Sequence, residues 1–325
     1  MKNFSVRLYK KEDFTIWNSF LNDAKNSTFL YHRNFMEYHS DRFFDFSIMV
    51  FDADILIATL PLNRVDSTVY SHEGLTYGGI ILRRNEKLTT VLSIFKNILQ
   101  FLDQNKIKKI VFKLIPSFYC DAFSDELEYC LYASDAKLDR IDSLSTINLK
   151  QPFFISKTRK ESIRRGIKNN LKIIEESNFD AFWNCILIPN LELKHQVNPV
   201  HSLKEITHLK TMFPDNIRQF NVYDGAQIVA GTTVFVSKNV VHPQYISGNA
   251  AKNALGSLDY LYNHLITEIF ADKSFFDFGI SNENCGKNLN KGLLFWKESF
   301  GAQTVAQRFY EIETRNFALL KNVLL

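Results

Sequence analysis

The sequence predicts an α/β protein made of two tandem copies of one domain, each a mixed, mostly antiparallel sheet flanked by helices. Three observations carry this: a globular composition, a hairpin pattern that occurs twice, and the same succession of elements after each hairpin. The chain has 325 residues, 46% apolar and 23% charged, which excludes disordered, collagen-like and coiled-coil chains. A single core rarely grows past about 250 to 300 residues, so two domains are expected. Among the aromatics 29 are Phe, which points to cores of rings that need no hydrogen-bond partner.

The first hairpin is read in residues 46–63, FSIMVFDADILIATLPLN, and the second in residues 218–236, RQFNVYDGAQIVAGTTVFV. Each is two apolar, strand-like runs around a polar turn. Superposing Asp52 on Asp224 also places Val50 on Val222, Phe51 on Tyr223, Leu56 on Ile228, Ile57 on Val229 and Ala58 on Ala230. After the first hairpin come a strand at 67–70, a turn at Tyr77, Gly78 and Gly79, a helix over 89–104 and a buried strand at 110–115. After the second come a strand at 239–247, a turn through 248–256, a helix over 257–272 and a strand at 275–280. Periodicity switches from two to 3.6 and back in both halves. The expected domains are residues 1–150 and 151–325, joined near residues 149–157, where Pro152 precedes a basic segment.

The amino terminus has no apolar leader, and no stretch approaches the ~18 to 20 apolar residues of a spanning helix, so a cytoplasmic protein is expected. Its four cysteines, Cys120, Cys130, Cys185 and Cys285, are scattered without a C-x-x-C pair and read as reduced packing residues; no metal is expected. The formal charge is +4, and the whole excess falls in the second half. There Lys157, Arg159, Lys160, Arg164, Arg165, Lys168 and Lys172 face only Glu161. Ile163, Ile167 and Leu171 recur every four residues, so this helix is expected to pack them inward and line Lys160, Arg164 and Lys168 outward. Such a face suits a diphosphate, a nucleotide sugar or a tRNA backbone; a solvated charged face is the bland alternative.

Residues 248–257, GNAAKNALGS, place small residues and Lys252 ahead of a helix, where backbone N–H groups approach an anion. Equally, Gly256 and Ser257 turn the chain and cap the helix. Asp277 sits among Phe275, Phe276 and Phe278, where a carboxylate is costly unless paired.

The order hairpin, third strand, loop, helix, strand resembles the acyltransferase fold called GNAT. A tandem pair resembles the FemABX peptidoglycan aminoacyl transferases and the wider FemAB-like, BioF2-like acyltransferases. The likeness is carried by SHEGLTYGG at 71–79, TRKESIRRGIKNN at 158–170, YDGAQIVAGTTVF at 223–235, HPQYISGN at 242–249 and FDFGISNENCGKNLNKGLLFWKESFGA at 276–302. Two departures stand out: residues 171–216 are too short for the helical arm of the tRNA-dependent members, and NAAKNALGS replaces the Gly-rich pyrophosphate loop of coenzyme A enzymes.

The resemblance implies a transferase that moves an acyl or aminoacyl group from acyl-coenzyme A, the favoured donor, or from aminoacyl-tRNA. The acceptor would be an amine of a cell-envelope precursor, such as a nucleotide-linked sugar or a peptide. It makes 1–150 the acceptor side and 151–325 the donor side. His242 is then a candidate base and Tyr245 a candidate acid, with Asp277 or Glu283 as other carboxylate bases. The donor would meet Gly248, Lys252, Asn253, Ala254, Gly256 and Ser257, with backbone N–H groups of the strand carrying Val234 and Phe235 stabilising the oxyanion. The acceptor would meet Tyr77, Gly78, Gly79, Arg164, Lys168, Gln244, Ser281 and Asn284. Strand alternation puts His242 and Gln244 on one face and Tyr245 on the other. The competing reading is a non-catalytic tRNA- or nucleotide-sugar-binding protein on the same fold.

Overall fold

The computed structural model describes residues 1–324, apart from the side chains of residues 194 and 195. The chain divides into two compact units, Met1–Asp142 together with Ala306–Leu325, and Ser143–Val305. The division is thus not a single cut at residue 150, because the carboxyl-terminal residues belong with the first unit. There Phe309–Glu313 pairs antiparallel with Lys109–Lys113.

In the first unit the strands Ser5–Leu8, Ile48–Asp52, Ile55–Leu60 and Ile81–Leu82 form an antiparallel sheet. A separate hairpin, Asn63–Val65 with Thr68–Tyr70, lies parallel to Lys109–Lys113 through its second strand. Helix Leu88–Gln104 buries Val91, Phe95, Ile98 and Leu102, the three- and four-residue spacing that one apolar stripe requires.

The second unit orders its strands Lys172–Glu176, Ile217–Asp224, Gln227–Val236, Val240–Gly248, Phe275–Ile280 and the 143–148 part of Lys137–Asn148. All neighbours are antiparallel except Val240–Gly248 and Phe275–Ile280, which run parallel. Helix Ser257–His264 continues into a π-helical turn, Leu265–Ile269, and its Leu261, Tyr262, Leu265 and Ile266 enter the core.

The duplicated hairpins agree in register. Val50 pairs with Ala58 and Phe51 with Leu56, leaving Ile57 as an extra residue; Val222 pairs with Ala230 and Tyr223 with Ile228, leaving Val229. Both two-residue turns begin in the left-handed region, at Ala53 (φ 52°) and Gly225 (φ 57°). A bulge at the same place in two hairpins is the kind of detail that divergence from one ancestor preserves.

Two expectations are corrected. Helix Lys157–Lys168 buries Ser162, Ile163 and Gly166, while Ile167 is 58% exposed. Small residues set this face: a Cβ on Gly166 would lie 2.5 Å from Tyr260 Cβ, so only glycine lets the two helices approach. Of the four cysteines, all free, Cys130 is buried and Cys120 half-buried, but Cys185 and Cys285 are exposed.

Candidate active site

The parallel strands Val240–Gly248 and Phe275–Ile280 pair through two residues only, Val240 with Phe275 and Val241 with Phe276, and then part. Parting two strands leaves backbone groups without ladder partners, and buried ones must be satisfied elsewhere. Here side chains do it. His242 Nδ1 lies 2.9 Å from the carbonyl oxygen of Asp277. The Asp277 carboxylate, 1% exposed, accepts from Gly279 N at 2.9 Å and Thr146 Oγ1 at 3.2 Å. Lys297, carried by helix Lys291–Glu298, donates to the carbonyls of Gly279 at 3.0 Å and Ile280 at 2.6 Å. The strand bulges between Asp277 and Ile280, and Gly279 takes φ 72°, which favours glycine.

This network fixes the chemistry of His242. A carbonyl only accepts, so Nδ1 carries the proton and Nε2 of the neutral ring is left as an acceptor, the form a general base requires. Asp277 Oδ2 lies 3.6 Å from Nδ1. Burial holds the Lys297 ammonium down at about 8, against the pull of Asp277.

Beyond the fork, the same strand borders a cavity of about 510 Å³. Its polar lining includes Arg159, Asn190, Ser247, Lys252, Asn253 and Asp259; Leu187, Leu191, Ile246, Leu258 and Trp296 supply apolar wall. Asp259 accepts from Arg159 Nη1 at 2.5 Å and Trp296 Nε1 at 2.8 Å, so its buried charge is compensated. Asn190 donates to Ser247 Oγ at 2.8 Å and to the carbonyl of Gly248 at 3.0 Å, fixing the cavity wall. His242 and Asp277 do not line this cavity; they lie at the closed end of the fork.

The other predicted residues fall into place around this geometry. Gln244 is the extra residue of a second bulge, since Thr233 pairs with Tyr245 and Val234 with Pro243; its Oε1 and the Ser281 Oγ are buried without a hydrogen-bond partner among the described residues. Tyr245 is buried with its hydroxyl 2.6 Å from His201 Nδ1, which gives it a packing role instead of an acid's open position. Val234 and Phe235 lie in a strand paired on both sides, so its amides belong to ladders. Glu283 is exposed and accepts from Asn290 at 3.0 Å, and Asn284 donates to Asn288 at 2.7 Å.

The loop before helix Ser257–His264 differs from an anion cradle. Ala251 N is bound to Asn249 Oδ1, Lys252 N to the Asn249 carbonyl and Leu255 N to that of Ala251, and Gly256 N to that of Lys252. These amides close a helical turn, Lys252–Leu255. Ser257 is buried, and a Cβ on Gly256 would lie 2.1 Å from the Ser162 carbonyl oxygen. Ala254 is exposed outside the cavity, and Gly248 packs on Lys252. Arg164 and Lys168 are exposed on the helix face away from Arg159 and do not reach the cavity.

In the first unit Tyr77, Gly78 and Gly79 are buried. The Tyr77 hydroxyl donates to Thr28 at 3.1 Å, and a Cβ on Gly78 would lie 1.7 Å from the Ser71 carbonyl oxygen. They hold the interior of that unit and line no acceptor surface. Sequence reasoning missed Lys297, Asp259 and the pairing role of Arg159; Lys297 lies three residues before the buried Phe300 on a helix that also carries Trp296, an apolar-stripe slot that was the available signal.

No protein-family model matches the sequence, and no curated protein matches it. Among solved structures the chain is similar to FemX (TM-score 0.68, 9% identity, 98% of this chain and 99% of that one). It is similar to L-PGS from Bacillus licheniformis (0.61, 10%, 96% and 94%). A tandem GNAT protein from the clavulanic acid biosynthesis pathway follows at 0.51, 12%, 96% and 99%. The fold is therefore the FemAB-like, tandem GNAT arrangement. No group of three or more His, Cys, Asp or Glu among the described residues is placed to hold a metal ion, and none of their helices is long and apolar enough to cross a membrane.

Proposed function

We propose that the second unit transfers an acyl or aminoacyl group to an amine, with the acyl group entering between Val240–Gly248 and Phe275–Ile280. The observation that carries this is the built fork: strands paired at two positions, then held apart by Asp277, His242 and Lys297. The amine attacks the activated carbonyl carbon while His242 Nε2 takes its proton and passes it to the departing oxygen or sulfur. Rate comes chiefly from holding amine and carbonyl together. Asp277 and Lys297 act as positioning residues.

The engaged amides of residues 251, 252, 255 and 256 weigh against a coenzyme A pyrophosphate seated on them. An aminoacyl ester of tRNA is the better-supported donor, with Lys252 at the cavity for one anionic group. Incubation with acyl-coenzyme A and charged tRNA pools and amine acceptors, read by mass spectrometry, tests this. An amide product from the charged tRNA pool that disappears in His242→Gln is expected; no product with any donor sinks the transferase reading.

A further inference from the structure

Helix Lys157–Lys168 has a face that the site does not use. Going round the helix at about 100° per residue, Lys157, Lys160, Arg164 and Lys168 fall within one arc of about 80°, roughly opposite the buried Ser162, Ile163 and Gly166. All four are exposed, and among the described residues none pairs with a carboxylate. The arc is bordered by exposed apolar side chains. Phe154 is 73% exposed and Ile167 58%, and Lys160 Nζ sits 5.0 Å from the centre of the Phe154 ring. Phe154 and Ile167 are thus accessible beside the cations, while Phe276, Phe278 and Phe300 of the same unit are buried in its core.

We propose that this face docks on an anionic phospholipid surface, the cations meeting headgroup phosphates while Phe154 and Ile167 enter the interfacial layer. Charge alone would serve a polynucleotide equally. The two bare apolar side chains beside the cations favour a bilayer, because a helix lying in an interface uses both kinds of contact. The surface is separate from the cavity, so docking would leave the fork open. The proposal does not depend on the transferase reading. Each cation brought to an anionic membrane strengthens partitioning roughly fivefold.

The full chain is sedimented with vesicles of phosphatidylcholine alone and of equal parts phosphatidylcholine and phosphatidylglycerol. Binding only to the second, weakened by salt, is expected. The variant Lys160→Glu/Arg164→Glu/Lys168→Glu should lose at least on the order of a hundredfold in partitioning with an unchanged unfolding midpoint. Phe154→Ser/Ile167→Ser should weaken vesicle binding while keeping its salt dependence. Equal binding to both vesicles, or retention by the triple variant, overturns the proposal. So does binding of a tRNA pool, lost in the triple variant and untouched in the double, without vesicle binding.

Discussion

Lys297→Met separates two opposing effects at the fork. Burial lowers the Lys297 ammonium from 10.5 to about 8, which amounts to about 3 kcal/mol of destabilisation at neutral pH. Methionine removes that cost and keeps the packing volume, yet it leaves the Gly279 and Ile280 carbonyls without their donor, at about 1 to 3 kcal/mol each. At pH 7 the terms nearly cancel, and the variant should be only about 1 kcal/mol less stable. The sign with pH is the sharper test. Because the lysine is lowered in the folded state, the unfolded chain binds more protons between about 8 and 10.5. Wild-type stability from this group therefore rises with pH across that window, by about 1 kcal/mol between pH 7 and 9, and Lys297→Met lacks the rise. Urea unfolding at the two pH values measures it: the deficit of the variant should grow with pH. A deficit that stays flat refutes the assignment of a buried, depressed ammonium.

Three further substitutions probe neighbouring parts of the site. Gly279→Ala adds a Cβ 3.0 Å from His242 Cε1 at φ 72° and should cost about 1 to 3 kcal/mol and displace the imidazole, lowering transfer; unfolding and rate assays together check both. Arg159→Ala leaves the Asp259 charge without its cation and should cost about 3 to 5 kcal/mol, read as a lower denaturant midpoint. His242→Gln should leave stability near wild type while slowing transfer by about 10² to 10⁴-fold; an unchanged rate would remove His242 from the mechanism.

How much was legible in the sequence depended on the kind of signal. The doubled hairpin could be read because side-chain alternation and turn residues are local, and the pairings of Val50 with Ala58 and Val222 with Ala230 follow from them. His242 was legible as a histidine on the third strand of the repeat. What its neighbours do was not, because Asp277 is satisfied by Thr146 and Gly279, and strand pairing across more than a hundred residues leaves no local trace. The inward face of helix Lys157–Lys168 was misassigned for a related reason: glycine and serine at close helix contacts carry no apolar periodicity, so Ile167 was given the place that Gly166 fills. Lys297 was passed over because a lysine on a short helix ordinarily reads as solvent-facing.

A crystal structure with a non-hydrolysable aminoacyl-ester analogue bound addresses the account most directly. The acyl group should lie between the parted strands, with an amine position open to His242 Nε2. An analogue seated elsewhere, with the two strands zipped together beyond Val241 and Phe276, would contradict it.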